Sequence, residues 1–520
     1  PIPELLRISF LLCRMLSSIL NNDTSTLMRK ELNVQLNVPT KYEINFSNAI
    51  DATTNGRPST HPFGIGNKIY SNVFFISKRL KITSLVLIIV GAIGWISSYN
   101  SSHHLSLEDV KLLLAEEDAH HSASETHDDA KTHAAMIHAS IEDDHHQEEA
   151  HHGDEHAEHV LHQMHNRPYA ALYVAAFFFM MISLGVLAFY GIQYAAQAGW
   201  SPVLFRVMEA ITYYLLPGAL IVLGIGLWAG DHLFIWMDPD VVAHDELIQA
   251  KAGWLNKTWF LIRGLIFITG WSLYRYFSRK FSLAQDLADL NDNSNFKNNF
   301  RISAGFLVFY IYTESIMSWD WIMSVDPHWF STLFGWYVFA SMFVSGITVI
   351  ALITIYLKSK GLMEFVNDSH LHDLAKFMFA ISVFWTYLWF SQFMLIWYAN
   401  IPEEVTYFVT RIEDYNLPFF GMIILNFIFP FLVLMNSDYK RVPWFIVMAG
   451  IVILFGHYID VFNMIMPATV GDRWFIGIPE ISAILLFLGL FIFIVFYALS
   501  KAPLLAKGNP FIKESEHFHY

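Results

Sequence analysis

The chain has 520 residues, of which 54% are hydrophobic and only 15% carry a charge. Soluble domains carry about 25% charged residues, so this composition excludes an array of soluble domains and indicates a membrane protein. The net charge of −14 comes from residues 108–158, which hold sixteen acidic and two basic residues. The rest of the chain is close to neutral, which predicts no nucleic-acid partner. The single cysteine, Cys13, excludes an internal disulfide and an iron–sulfur cluster held by cysteines of this chain alone.

Residues 1–79 are predicted to form a cytoplasmic N-terminal segment. Within it, residues 5–20 are apolar but are interrupted by Arg7 and Arg14, and they are too short to span a bilayer. We therefore interpret residues 1–27 as a leader or as residues upstream of the true start, for which Met28 is a candidate.

Ten apolar stretches follow, each of about 18 residues or more, the length that a helix needs to cross a bilayer. They lack the alternation of barrel strands, so they predict an all-α membrane protein. Pro217 and Pro430 fall inside spans and predict kinks there. The stretches are residues 82–98, 170–194, 206–230, 255–278, 301–322, 332–357, 374–398, 417–436, 443–463 and 478–500.

Basic residues concentrate on alternate connections between these stretches. Lys78, Arg79 and Lys81 precede or open the first stretch, whereas connections such as 238–246 and 403–414 are acidic or nearly free of lysine and arginine. By the positive-inside rule, both termini are predicted to be cytoplasmic in a multi-pass protein of a bacterial inner membrane.

Residues 100–166 form one long connection on the predicted outer side. It contains fifteen of the 24 histidines, among them His152, His156 and His159 at helical spacing. These three are weak candidates for a metal site, since such sites need defined geometry. The alternative is a solvated acidic loop that packs on partner subunits. Residues 142–165 could fold as a polar helix.

Ionisable side chains inside spans are costly, so each is a candidate functional group. The depth of each residue in its span places all of them except Glu209 in the outer half. An Arg263–Glu314 contact would be either a structural ion pair or part of a proton or quinone site. His457 and Asp460, three residues apart on one helix face, suit a general base or a helix–helix hydrogen bond. The candidates for a proton path or quinone pocket are Arg263, Glu314, Asp320, His457, Asp460, Glu480 and Glu209.

A hairpin rich in tryptophan joins the fifth and sixth stretches at the outer surface. Its tryptophans are predicted to be interfacial anchors, Asp326 begins a turn, and Ser331 or Thr332 is predicted to cap the next helix. The proposed docking hairpin comprises Trp319, Trp321, Asp326, His328 and Trp329.

The hairpin and the helix after it read MSWDWIMSVDPHWFSTLFGWYVFASMFVSG. This segment resembles the polysulfide-reductase-type membrane subunits of alternative complex III, a bacterial quinol oxidoreductase that passes electrons to cytochrome c or to a terminal oxidase. It is most similar to the F subunit, and the resemblance spans residues 60–505.

The resemblance implies two four-helix bundles at residues 167–323 and 324–464. They follow a first transmembrane helix at residues 80–99 and the loop at 100–166, and they precede a tenth helix within 465–500 and a cytoplasmic tail at 501–520. It also implies partner subunits: an iron–sulfur/molybdopterin-like subunit, a homologous membrane subunit and haem c subunits. The haems and iron–sulfur clusters would belong to those partners, with no cofactor bound covalently here and menaquinol or another quinone as the substrate of the complex.

Three functions remain open from the sequence. The chain could be a structural and proton-transferring subunit that contacts quinone, not catalytic alone. It could instead be a scaffold for extrinsic redox subunits. A secondary transporter would need discontinuous helices in inverted repeats, and no pair of interrupted stretches stands out.

Overall fold

The computed structural model describes residues 73–125, 145–289 and 291–519. The predictions for residues 1–72, including the leader, lie outside the described residues. Regular structure in the described part of the chain is helical throughout, which confirms the all-α membrane fold.

Ten long helices occupy the positions of the ten predicted spans. They are α1 (Lys78–His103), α3 (His145–Ala195), α4 (Pro202–Trp228), α5 (Lys257–Gln285), α6 (Ser294–Trp321), α7 (Phe334–Ser359), α8 (Asp368–Ala399), α10 (Asn416–Leu434), α11 (Pro443–Val470) and α12 (Ile478–Leu499). Eight of these helices are long and apolar enough to cross a membrane. The other two, α5 and α6, are 29 and 28 residues long and carry more charged residues.

Shorter helices fill the connections. Three are labelled here: α2 (Leu107–Glu125), α9 (Pro402–Glu413) and α13 (Ile512–Glu516). Four short helices lie between α4 and α5: Gly230–Leu233, Ile235–Met237, Pro239–His244 and Glu246–Lys251. Single turns of 3₁₀ helix occur at Met323–Val325 and Tyr439–Arg441. The polar helix predicted for residues 142–165 is present from His145 onward as the start of α3, and residues 142–144 lie outside the described residues.

Both predicted kinks coincide with irregular helix. In α4, a 3₁₀ turn at Thr212–Tyr214 precedes Pro217, and in α10 a π-helical segment at Ile424–Ile428 precedes Pro430. Proline has no N–H to donate and displaces the carbonyl four residues earlier, so the preceding turn departs from α geometry. The predicted cap at Ser331 or Thr332 is wrong. The residue before α7 is Leu333, which makes no side-chain cap, because a turn intervenes.

The long helices form two bundles around α3. Helices α3–α6 pack as a first bundle and α7, α8, α10 and α11 as a second, while α3 also lies against α7 and α11. The most apolar window of α3 is 100% buried, against 22% for α1, so α3 is the core of the molecule. The flanking helices α1 and α12 pack along each other at Gly91 and Gly489, where a Cβ would lie within 3 Å of the opposing backbone.

Contacts between connections define the two ends of the molecule. At one end, His328 lies 2.6 Å from Asp245. At the other, the hydroxyl of Ser515 in the C-terminal tail donates to the carbonyl of Trp200, and the carbonyl of Ser515 accepts from His370. We call these the outer end and the inner end after the predicted orientation. The compartment that each end faces stays a prediction.

Candidate functional site

The second bundle surrounds the carboxyl of Asp460 with hydrogen-bond donors. Asp460 is fully buried on α11. One of its oxygens, Oδ1, accepts from the hydroxyl of Tyr337 on α7. The other, Oδ2, accepts from Ser341 of α7 and from the indole N–H of Trp385 on α8, each at 2.9 Å. Two helices, α7 and α8, therefore supply the three donors that make burial of this acid tolerable.

His457 joins the same network through Ser341. The hydroxyl of Ser341 lies 2.8 Å from Nδ1 of His457, and this nitrogen is 3.5 Å from Oδ2 of Asp460. The prediction that His457 and Asp460 share a helix face is confirmed. A hydroxyl has one proton, so when Ser341 donates to Asp460 it accepts from Nδ1–H of His457. Acid, hydroxyl and imidazole thus form a chain along which a proton can move.

A narrow pocket adjoins this network toward the outer end. Tyr337, which bonds Asp460, is also part of its wall. The guanidinium of Arg411 on α9 is 4% exposed, donates to the carbonyls of Asn463 and Tyr407, and lies 3.3 Å from the Tyr407 ring centroid. Burial raises the pKa of the Tyr407 phenol, which therefore remains neutral beside Arg411. The remaining lining residues are Trp389, Gln392, Phe408, Phe419, Met422 and Met464.

Glu209 lies in a separate network near the inner end. Its Oε2 accepts from Arg206 at 2.6 Å, and its Oε1 accepts from Ser282 at 2.6 Å and from Tyr190 at 3.0 Å. Arg206 also pairs with Asp286, which accepts from the backbone N–H of residue 508 in the tail. A carboxylate held this tightly by a buried arginine suits a structural role.

Arg263 pairs with Asp320, so the predicted Arg263–Glu314 contact is wrong. Nε and Nη2 of Arg263 lie 2.5 and 3.1 Å from the two carboxylate oxygens, and Trp254 donates to the same group at 2.9 Å. Asp320 is six residues, or about 9 Å, nearer the outer end than Glu314. A long cationic side chain extends toward the aqueous interface, where its charge costs least, and there it meets Asp320.

Glu314 is 3% exposed and lacks a basic partner among the described residues. Its oxygens accept only from the hydroxyls of Ser318 at 3.1 Å and Ser315 at 3.4 Å on its own helix. Within the described residues, no hydrogen bond or ion pair connects it to the Asp460 network.

Glu480 ties the flanking helix α12 to α3. It lies 2.8 and 3.0 Å from Arg167 and accepts from the backbone N–H of Gly477, so it also caps its own helix. Arg167 packs over the ring of Phe475 at 3.4 Å. These contacts indicate a structural role for Glu480, which holds α12 against α3.

The predicted docking hairpin is only partly a surface feature. Trp321 and Trp329 are 0% and 3% exposed, and Trp329 stacks on Tyr407 at 3.8 Å, so these two are not interfacial anchors. Trp319 and Asp326 are half-buried. The exposed group of the hairpin is His328, which pairs with Asp245. Docking at this hairpin stays a prediction.

The histidine-rich connection gives little support for a metal site. His156 and His159 are exposed on α3, whereas His152 lies outside the described side chains. Among the described residues, no group of three or more histidine, cysteine, aspartate or glutamate side chains could hold a metal ion.

The structure adds site residues that sequence reasoning missed. Ser341 is a polar residue inside an apolar span, and that signal could have identified it. Arg411 gave no such signal, because it lies on a short helix in a connection. No protein-family model and no curated protein matches this chain.

Proposed function

We propose that this chain is an integral membrane subunit of a bacterial quinol-oxidising respiratory complex and that it transfers protons through its second bundle. Eight helices long and apolar enough to cross a membrane support an integral membrane protein. The resemblance of the segment at residues 317–346 supports the complex and its partners. These are an iron–sulfur/molybdopterin-like subunit, a homologous membrane subunit, haem c subunits and, as acceptor, cytochrome c or a terminal oxidase.

The observation that best supports proton transfer is the hydrogen-bonded chain Asp460–Ser341–His457. It is fully buried, uses two titratable groups of different type and adjoins a pocket toward the outer end. None of its three members forms an ion pair with lysine or arginine among the described residues. The acids at Glu209, Asp320 and Glu480 are each held by an arginine, which fixes their charge.

Quinol oxidation itself fits this chain less well. The hydroxyl of Tyr337 in the pocket wall donates its only proton to Asp460 and has none for a quinone carbonyl. Nε and Nη1 of Arg411, the charged group in the wall, already donate to backbone carbonyls. We therefore assign proton transfer to this site and leave the oxidation of quinol to the partner membrane subunit.

A scaffold function is the second candidate. It is favoured by the ion pairs Arg206–Glu209, Arg263–Asp320 and Arg167–Glu480, which join neighbouring helices and need no chemistry.

The substitution Asp460→Asn in the intact complex separates the two candidates. Asparagine keeps the size and the acceptor of the carboxyl but cannot carry a proton. We expect the rate of proton translocation beyond the two protons that each oxidised quinol itself releases, measured with a pH indicator in proteoliposomes, to fall at least about tenfold, because a positioned proton-transfer group is removed. The matched control is Glu480→Gln, which changes a buried acid paired with Arg167 and should leave proton translocation per complex unchanged. If both variants reduce only the yield of assembled complex, and turnover per complex is unchanged, the scaffold function is correct.

A further inference from the structure

An unpaired amide lies in the second bundle beside the Asp460 network. Asn426 is fully buried in the π-helical segment of α10 (Ile424–Ile428), and neither its Oδ1 nor its Nδ2 has a hydrogen-bond partner among the described residues. Single π-helical turns inside α-helices occur frequently at functional sites. A buried amide without partners is disfavoured in a folded chain, so this one calls for an explanation.

The facing helix, α11, has a glycine at the point where it meets this amide. A Cβ at Gly456 of α11 would lie 2.1 Å from Oδ1 of Asn426, so only glycine fits there. The next residue along α11 is His457. Asn426 thus lies against the part of α11 that carries the imidazole, about one helical turn closer to the inner end than Asp460.

Other buried polar atoms on α8 and α11 are also unpaired. Nε2 of the fully buried His457 has no partner among the described residues, nor has the hydroxyl of Ser382, which is 2% exposed on α8, one helical turn before Trp385. Helix α8 packs against the same π-helical segment as α11 does. Because Nδ1–H of His457 can donate to Ser341, Nε2 is left as an acceptor that needs a donor.

We propose that Asn426, Nε2 of His457 and Ser382 hold internal water molecules that extend the proton route from Asp460 toward the inner end. Buried waters typically make two to four hydrogen bonds, and these side chains supply both donors and acceptors. In each transfer, Nε2 accepts a proton from the water side, Nδ1 releases one to Ser341, and Ser341 passes its own proton to Asp460. Asp460 then releases its proton toward the pocket at the outer end. The imidazole and the hydroxyl turn back before the next transfer, so that an imidazole N–H again faces Ser341.

This inference rests on the proposed proton transfer and is tested by Asn426→Leu in the intact complex. Leucine is similar in size and apolar, so it removes the polar partners without opening a cavity. We expect turnover-linked proton movement to fall at least about tenfold, with assembly and thermal stability equal to or above wild type. Proton movement within about twofold of wild type would overturn the proposal.

Two other variants and a density map complete the test. Asn426→Ser keeps a hydroxyl and room for water, so we expect it to retain at least half of the proton movement. The control Thr348→Val removes a buried hydroxyl already bonded to a carbonyl of its own helix and should change nothing. A high-resolution map of the wild-type complex should show density within about 3.2 Å of Nδ2 of Asn426 and Nε2 of His457. If Asn426→Leu does not assemble, the density map decides, and absence of density at these atoms overturns the proposal.

Failure of this proposal is distinguishable from failure of the proposed function. Normal proton movement in Asp460→Asn would refute proton transfer by the bundle as a whole. Impaired Asp460→Asn together with normal Asn426→Leu would leave the Asp460 chain in place and exclude the hydrated extension only.

Discussion

Replacing Arg263 by leucine would leave the Asp320 carboxylate buried with a single donor, the indole N–H of Trp254 at 2.9 Å. The side chain of Asp320 is 1% exposed, so water cannot replace the two guanidinium hydrogen bonds that are lost. Removing one partner of a buried ion pair costs about 3–5 kcal/mol. We expect a loss of that size in the free energy of unfolding of Arg263→Leu.

A double-mutant cycle isolates the contribution of the pair. Asp320→Asn removes the charge and retains an acceptor for Trp254, so the double variant Arg263→Leu/Asp320→Asn contains no unpaired buried charge. Its loss should be smaller than the sum of the two single losses by about 2–3 kcal/mol. Unfolding of the purified chain in micelles, titrated with dodecyl sulfate and followed by circular dichroism, measures all four free energies.

The exposed pair Lys257–Asp231 at the same end of the molecule serves as the control. Its two side chains are 52% and 61% exposed, so Asp231→Asn should change stability by less than about 1 kcal/mol. A coupling free energy below about 0.5 kcal/mol for Arg263 and Asp320 would refute the argument that this pair fixes α5 against α6.

Two further predictions concern packing and pH. Gly456→Ala places a Cβ 2.1 Å from Oδ1 of Asn426 and should cost about 1–3 kcal/mol in the same unfolding assay, whereas Gly421→Ala, with nothing within 4 Å, should cost nothing. The pKa of Asp245 is lowered, mainly by the backbone N–H of Ile248, so its folded-state pKa lies below the unfolded value. Its stabilisation of the helix Glu246–Lys251 is therefore complete above about pH 4 and lost as pH falls through the lowered pKa. Hydrogen exchange of that helix should rise at acid pH in wild type but be independent of pH, after correction for the intrinsic rate, in Asp245→Asn.

The buried acids divide into two kinds, and this division guides the functional argument. Glu209, Asp320 and Glu480 each face an arginine and hold helices together. Asp460 is surrounded by neutral donors and a histidine, and Glu314 by hydroxyls only. An acid without a fixed countercharge can gain and lose a proton at lower cost. Of these two acids, only Asp460 is linked to a histidine and adjoins a pocket, so proton transfer is assigned to the second bundle.

The sequence by itself determined the helices and their approximate bounds. Length and apolarity of a span are local properties, and a backbone in lipid must satisfy its hydrogen bonds within its own helix. The shared helix face of His457 and Asp460 was also predictable, because residues three apart on one helix are neighbours whatever surrounds them.

Only the tertiary structure decided which side chains meet between helices. The donors to Asp460 come from positions 75 to 123 residues earlier in the chain, and Arg263 meets Asp320 across 57 residues. Such contacts depend on the rotation and axial position of each helix in its bundle, and packing of many small apolar contacts sets both. A local pattern shows that an acid is buried, but only the packed helices show whether it faces an arginine or a hydroxyl.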